Sequence, residues 1–151
     1  MPAEGSELLR AFRDSVEEGH RAWSQGDVRS AYVALPDALE YHLSPIWPDA
    51  RVLRSRDEVI AFFEDFHTTF PGVRTTDRRY LEGDEGTLIV GFRVIGSGRT
   101  SGVGTEMEIW QVWEVRENED GLTVTTVREF NDRGQALQAA GVAEPAGREA
   151  E

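Results

Sequence analysis

Between Gly104 and Arg116 the chain alternates with a period of two, and this restricts its fold more than any other stretch. One phase reads Met107, Ile109, Gln111, Trp113, Val115; the other reads Glu106, Glu108, Trp110, Val112, Glu114. Successive side chains of a strand point to opposite faces, so this is a strand with one apolar and one acidic side. The acidic phase faces water or a partner, and the apolar phase faces a layer of helices. Gln111 is then a lone amide on an apolar face. It is either a core glutamine with an internal partner or a hydrogen-bond donor to a ligand, because a buried amide needs one or the other.

The same period governs the chain from Val73 onward. Candidate strands are Arg74–Leu81, Thr87–Ile95, Gly104–Arg116 and Leu122–Asn131, separated by the turn signals Gly83-Asp84, Gly96-Ser97-Gly98 and Glu119-Asp120-Gly121. Short connections predict antiparallel hairpins. Leu88, Val90, Phe92 and Val94 point inward, leaving Arg93 outside, where it and Arg99 can pair with Glu106 and Glu108. In Leu122–Asn131 two phases compete: Val124, Thr126, Arg128 and Phe130, or Val127 and Glu129.

Upstream the period is helical. Ser6 can cap a helix whose stripe runs Leu9, Phe12, Val16, Trp23. Gly19 in that stripe admits either another element or a ligand. Gly26-Asp27 ends this helix and caps a short one that Pro36 stops. Ala38–Leu43 reads as a strand. Ser55-Arg56-Asp57-Glu58 has the form of a capping box and opens a helix carrying Val59, Phe62, Phe63, Phe66 and Phe70. Asp132 can cap a last turn that Gly141 stops, and Ala143–Glu151 reads as a disordered tail. Helices followed by hairpins make an α+β domain.

Composition removes much chemistry. The formal charge is −12, which disfavours nucleic acid and anionic membrane surfaces. All 16 basic residues are arginine, so no lysine Schiff base can form, and the absence of cysteine removes thiol and thiolate–metal sites. His20, His42 and His67 lack metal-ligand spacing, and His20 and His67 read as helix-surface residues. No metal or cofactor is expected. No apolar run reaches the ~18 residues of a membrane span, and MPAEGSELLR lacks the order of a signal peptide, so the expected location is cytoplasmic.

Glu40 and His42 share one side of their strand, with Leu39, Tyr41 and Leu43 on the other. If the polar pair lines a cavity, His42 is a candidate base with Glu40 beside it; otherwise it lies at an exposed edge. Arg128, if inward, is a candidate for a substrate carboxylate or for pairing with Glu40.

The succession Gly26-Asp27, Pro36-Asp37, Glu40-Tyr41-His42, Trp47-Pro48, Arg56-Asp57-Glu58-Val59 and Phe63 resembles the SnoaL-like branch of the nuclear transport factor 2-like superfamily. So do Gly98-Arg99-Thr100-Ser101-Gly102, Trp113, Arg128-Glu129-Phe130-Asn131-Asp132-Arg133 and Ala139-Ala140-Gly141. The resemblance covers about Leu8 to Val142 and implies a single domain over residues 6–142. It implies a cone: a strongly curved antiparallel sheet with three N-terminal helices on its concave face, a pocket between them, and a homodimer. Ketosteroid isomerases of that superfamily carry their base five residues past an aspartate, a place His42 takes relative to Asp37. Their oxyanion acid falls at Gln111 or Ile109, their helical tyrosine near Gly19, and an aromatic wall at Phe130.

Two readings follow. In the first, a small apolar ligand enters a pocket walled by Trp23, Tyr32, Trp47, Phe66, Trp113 and Phe130, with Arg128 as a contact. His42 acts as base, Glu40 orients it and Gln111 donates, in an isomerase, cyclase or dehydratase. In the second, the domain binds or dimerises without catalysis. The dimer is expected through the outer sheet face, with Trp110 and Val112 at its centre.

Overall fold

The computed structural model describes residues 3–47, 49–83, 86–96, 106–118 and 121–141. The amphipathic N-terminal segment forms α1 (Ala3–Ser24), so Ser6 lies inside the helix rather than at its cap. Gly26 takes a left-handed φ of 86°, and Asp27 accepts a hydrogen bond from the Ser30 amide at the start of α2 (Val28–Ala31). The strand β1 (Ala38–His42) follows. A second strand, β2 (Val52–Ser55), pairs with it and was not apparent in the sequence.

Ser55 then caps α3 (Arg56–Thr69), accepting from the Glu58 amide at 3.1 Å. Glu58 reaches back one residue further than a standard capping box, to the Arg54 amide at 2.7 Å. The meander that follows comprises β3 (Arg74–Glu82), β4 (Thr87–Ile95), β5 (Glu106–Asn118) and β6 (Gly121–Phe130). Asp132 accepts from the Gly134 and Gln135 amides and caps α4 (Arg133–Ala139), with Gly141 at φ 77° beyond its end. The expected turns at Asp84 and 119–120, the glycine-rich tip at 97–102 with Arg99, the first two residues of Gly104–Arg116, and the tail Ala143–Glu151 lie outside the described residues.

The strand order is β2-β1-β6-β5-β4-β3. The sheet is therefore mixed rather than wholly antiparallel, because β1 and β6 run parallel with Tyr41 opposite Val127. Short connections fix direction only between successive strands. β1 comes from the other half of the chain and joins the free edge of the meander.

Two irregularities decide which side chains face in. Asp77 sits at φ 56° where β3 carries an extra residue against β4, between Thr76 and Arg79. The bulge resets the alternation, so Thr75, Arg78 and Tyr80 turn toward α1. In β6 the register against β5 shifts between Glu114 and Val115. Val124 lies opposite Val115 on one side of this bulge, while Val127 and Glu129 lie opposite Trp113 and Gln111 on the other. Each of the two competing phases is thus inward over part of the strand.

The helices α1, α2 and α3 bury Val16, Trp23, Val28, Val59, Ile60, Phe63 and Phe66 against the inner sheet face, where Val90, Phe92, Val94, Ile109 and Val127 meet them. A second apolar cluster occupies the opposite face. There Ile89, Trp110 and Val112 are covered by Ala136, Leu137 and Ala140 of the α4 segment. This corrects the expected dimer centre: Trp110 is 2% and Val112 0% exposed, so neither is available to a second copy. A two-faced core requires a lid on each face, and the last helix supplies the second.

Trp110 lies across Gly91 of the neighbouring strand, and its indole nitrogen donates to Glu108 at 2.7 Å. A Cβ at Gly91 would come within 2.5 Å of that ring. Replacing Gly91 with alanine is expected to lower stability by about 1–3 kcal/mol through overpacking, read as a fall in the urea midpoint at unchanged slope. No described helix is long and apolar enough to cross a membrane.

Candidate functional site

Between α1, α2 and the inner sheet face lies a cavity of about 290 Å³. Its wall is largely aromatic: Phe12, Trp23, Tyr32, Phe63, Phe92 and Trp113 contribute rings. Gly19 borders it, and a Cβ there would stand 3.2 Å from the Ala31 carbonyl oxygen. The missing side chain therefore serves both purposes anticipated for it, close approach of α2 and open space.

At the floor sits Glu129, 4% exposed, with both carboxylate oxygens occupied. Oε1 accepts from the Trp47 indole at 2.6 Å and the Ser44 amide at 3.1 Å. Oε2 accepts from Gln111 Nε2 at 2.8 Å and the Tyr41 hydroxyl at 3.0 Å. Gln111 Nε2 also donates to Tyr41, and its Oε1 accepts from the Trp113 indole at 2.8 Å. Burial pushes the Glu129 carboxyl above the usual carboxylate range, against the pull of its four donors. Burial likewise holds the Tyr41 and Tyr32 hydroxyls in their neutral form, with the Glu129 charge adding to it.

A second polar group lies in the wall. His20 Nδ1 stands 2.7 Å from Thr75 Oγ1, and its ring packs edge-on to Phe92 at 4.6 Å. Arg78 donates from Nη1 to the Thr75 carbonyl and to Oγ1, both at 3.2 Å. Its remaining donors grip Glu17 through Nε at 2.7 Å and Nη2 at 3.0 Å, and Tyr80 donates to the same carboxylate. Burial lowers the His20 pKa to about 3, assisted by the neighbouring Arg78 cation. The Arg78 hydrogen bond brings Glu17 down to about 2.

Of the residues singled out from the sequence, Gln111, Trp23, Tyr32, Trp47 and Trp113 line this cavity. The others stand elsewhere. His42 and Glu40 project from β1 on the side opposite the buried Leu39 and Tyr41, with side chains 37% and 51% exposed. They pair with each other at 3.0 Å, and Glu40 also accepts from Arg54. The alternation was legible but its aim was reversed: Tyr41, not His42, points at the cavity. Arg128 faces outward and donates to Glu114 at 2.6 Å instead of meeting Glu40 or a ligand. Phe130 lies opposite Trp110 in the cluster under α4. Phe66 is one layer behind the wall, its ring 4.9 Å from that of Trp47.

Neither His20 nor His67 is a free surface residue. His67 packs against the Trp23 ring at 4.3 Å. The stripe itself contained the signal for His20, four residues after Val16 and three before Trp23. Glu129 stood in only one of the two phases the sequence left open, and its pairing opposite Gln111 is set by the register of β6 on β5. No cluster of potential metal ligands occurs among the described residues.

This arrangement of helices, mixed sheet and interior cavity can be compared with solved structures. An NTF2-like protein from Anabaena variabilis superposes with a TM-score of 0.67 at 16% identity, over 87% of this chain and 94% of that one. The chain has the nuclear transport factor 2-like fold. A Xanthomonas campestris protein named as a candidate polyketide cyclase matches 88% of this chain and 98% of its own, with a TM-score of 0.63 at 15% identity. SalBIII, an epoxide hydrolase/cyclase-like enzyme with a role in pyran ring formation in the polyether salinomycin, gives 0.62 at 14% identity, covering 82% of this chain and 92% of its own. No protein-family model and no curated protein matches the chain by sequence. At these identities the likeness establishes the NTF2-like fold and leaves the chemistry to the site's own residues.

Removing one donor from Glu129 tests the floor. Tyr41→Phe leaves the carboxylate with three donors, so its pKa rises further above the unfolded value. The native state then holds its proton to higher pH, and stability declines as pH rises from the ordinary carboxylate range upward. The expected loss is about 1–3 kcal/mol at pH 8 and smaller at pH 5. Urea unfolding at both values measures it.

Proposed function

We propose that this chain binds a neutral, largely apolar small molecule carrying one or two oxygens, and acts on it by cofactor-independent acid–base chemistry of the cyclase or dehydratase kind. The observation that carries this reading is the cavity, where aromatic rings enclose most of the space and the polar side chains gather mainly around Glu129 and around His20, with Ser15 and Thr123 as further hydroxyls. That division suits an apolar skeleton anchored by a few hydrogen bonds. The Glu129 carboxyl at the floor has no arginine partner among the described residues, which disfavours an anionic ligand. At neutral pH an uncharged His20 imidazole is a group a reacting oxygen would meet, while the Tyr41 hydroxyl and the Gln111 amide already donate within the Glu129 network. The candidate polyketide cyclase and SalBIII, which share the fold, support this class of reaction.

A second reading, binding without turnover, is favoured by one feature. Both oxygens of Glu129 are engaged by the chain's own donors, leaving no open lone pair to take a proton from a ligand.

Prodan, a neutral naphthyl ketone whose emission shifts to the blue in apolar surroundings, tests the cavity. Wild-type protein is expected to bind it with a blue shift. Val124→Trp, which fills the cavity from its sheet side, should weaken binding by at least about tenfold while the circular dichroism spectrum stays unchanged. Equal binding by the variant would place the ligand elsewhere.

A further inference from the structure

The Arg78–Thr75–His20 chain fixes more than the position of a ring. Thr75 Oγ1 has three neighbours: Arg78 Nη1 at 3.2 Å, His20 Nδ1 at 2.7 Å and Ser24 Oγ at 3.5 Å. An arginine can only donate, so toward Arg78 the threonine oxygen accepts. Its single proton must then go to His20 or to Ser24. The contact with Ser24 is at the outer limit for a hydroxyl pair, and Ser24 Oγ already accepts from the Thr75 amide at 3.0 Å. The contact with Nδ1 is short. Placing the proton there satisfies every group in its best geometry and makes Nδ1 an acceptor. A neutral imidazole that accepts at Nδ1 carries its hydrogen at Nε2.

We infer that Arg78 and Thr75 hold His20 as the Nε2–H tautomer, and that His20 thereby donates a hydrogen bond from the cavity wall to a carbonyl oxygen of the ligand. This rests on the proposed binding of a small molecule and adds its functional group. The ligand is a ketone, ester or similar carbonyl compound, and His20 acts as a donor rather than as a base. Burial, and after it the neighbouring Arg78 cation, opposes a second proton on the ring, so it is uncharged at neutral pH. The groups around it are consistent with this. Glu17 and Tyr80 are committed to Arg78 and to each other, Phe92 of β4 offers only an apolar ring, and Ser24 is occupied by the backbone of β3. Thr75 and Arg78 are positioning residues in this scheme.

Two measurements separate the parts. In protein labelled with ¹⁵N at histidine, the spectrum lost in His20→Phe identifies His20. At pH 7 its Nδ1 should show a pyridine-like shift and its Nε2 a pyrrole-like, protonated shift. Thr75→Val, which keeps the shape but removes the hydroxyl, should convert this into a mixture of tautomers, a change that loss of packing alone would not produce. An Nδ1–H tautomer or an imidazolium in the wild type would overturn the assignment. The donor role is read from 2-acetylnaphthalene and its oxygen-free isostere 2-isopropenylnaphthalene. Wild type should prefer the ketone by about fivefold to tenfold, and His20→Phe should abolish the preference while still binding the hydrocarbon. A preference that survives in His20→Phe would reject the donor role. If neither naphthalene binds, the small-molecule reading fails and the donor role with it, even where the ¹⁵N shifts bear out the tautomer.

Discussion

Moving a carboxylate out of water costs several kcal/mol unless other donors replace the lost solvent. Glu129 meets that condition by drawing together segments that are otherwise far apart in the chain. Tyr41 comes from β1, Ser44 and Trp47 from the loop after it, and Gln111 from β5. The parallel pairing of β1 with β6 sets Tyr41 beside the Glu129 strand, so the sheet's least local contact is also its most polar one. Hydrogen bonds to a charged group contribute roughly twice what neutral ones do, and they are directional. They fix the register of β1, where a strand of five residues could otherwise slip.

The two polar stations of the cavity solve the same problem differently. Glu129 is surrounded by four neutral donors, while burial pushes its carboxyl above the usual carboxylate range. His20 sheds its charge chiefly because it is buried, and the Arg78 cation behind Thr75 adds to the effect. Both leave the interior without an exposed ionic group, although the chain as a whole carries twelve excess negative charges, the −12 of its composition. Electrostatic repulsion is thus kept on the surface, where Arg93 pairs with Glu106, Arg128 with Glu114 and Arg54 with Glu40 across solvent-exposed strands.

Every strand but β2, and the helix caps at Asp27, Ser55 and Asp132, were legible because they depend on neighbours within a few residues. The Asp132 cap and the Ser55 cap each satisfy an amide two or three positions on, and the inward phase of β5 follows from its own alternation. What was not legible depends on partners distant in sequence. β2 has too few residues to show a period and exists through its pairing with β1. The aim of His42 followed from which side of β1 found apolar neighbours, a fact belonging to α3 and β6. Trp110 and Val112 looked exposed because α4, though recognised, carried no indication of the face it would cover. Of the site residues, Trp23, Tyr32, Trp47 and Trp113 were placed at the wall, Phe66 and Phe130 were not, and Glu129 required knowing where β6 changes phase.

That change of phase has a consequence for how such a cavity can be remodelled over time. At Asp77 and at the bulge in β6, one additional residue exchanges the inner and outer lists of everything beyond it, while the ladder on either side remains paired. Point substitution alters one position of a wall. Gain or loss of a single codon at such a bulge replaces several at once, bringing a different set of side chains, already present on the outer face, into the interior. Lineages sharing this backbone can therefore diverge abruptly in pocket chemistry, and pairwise identity between them will understate how similarly they fold and overstate how similarly they bind.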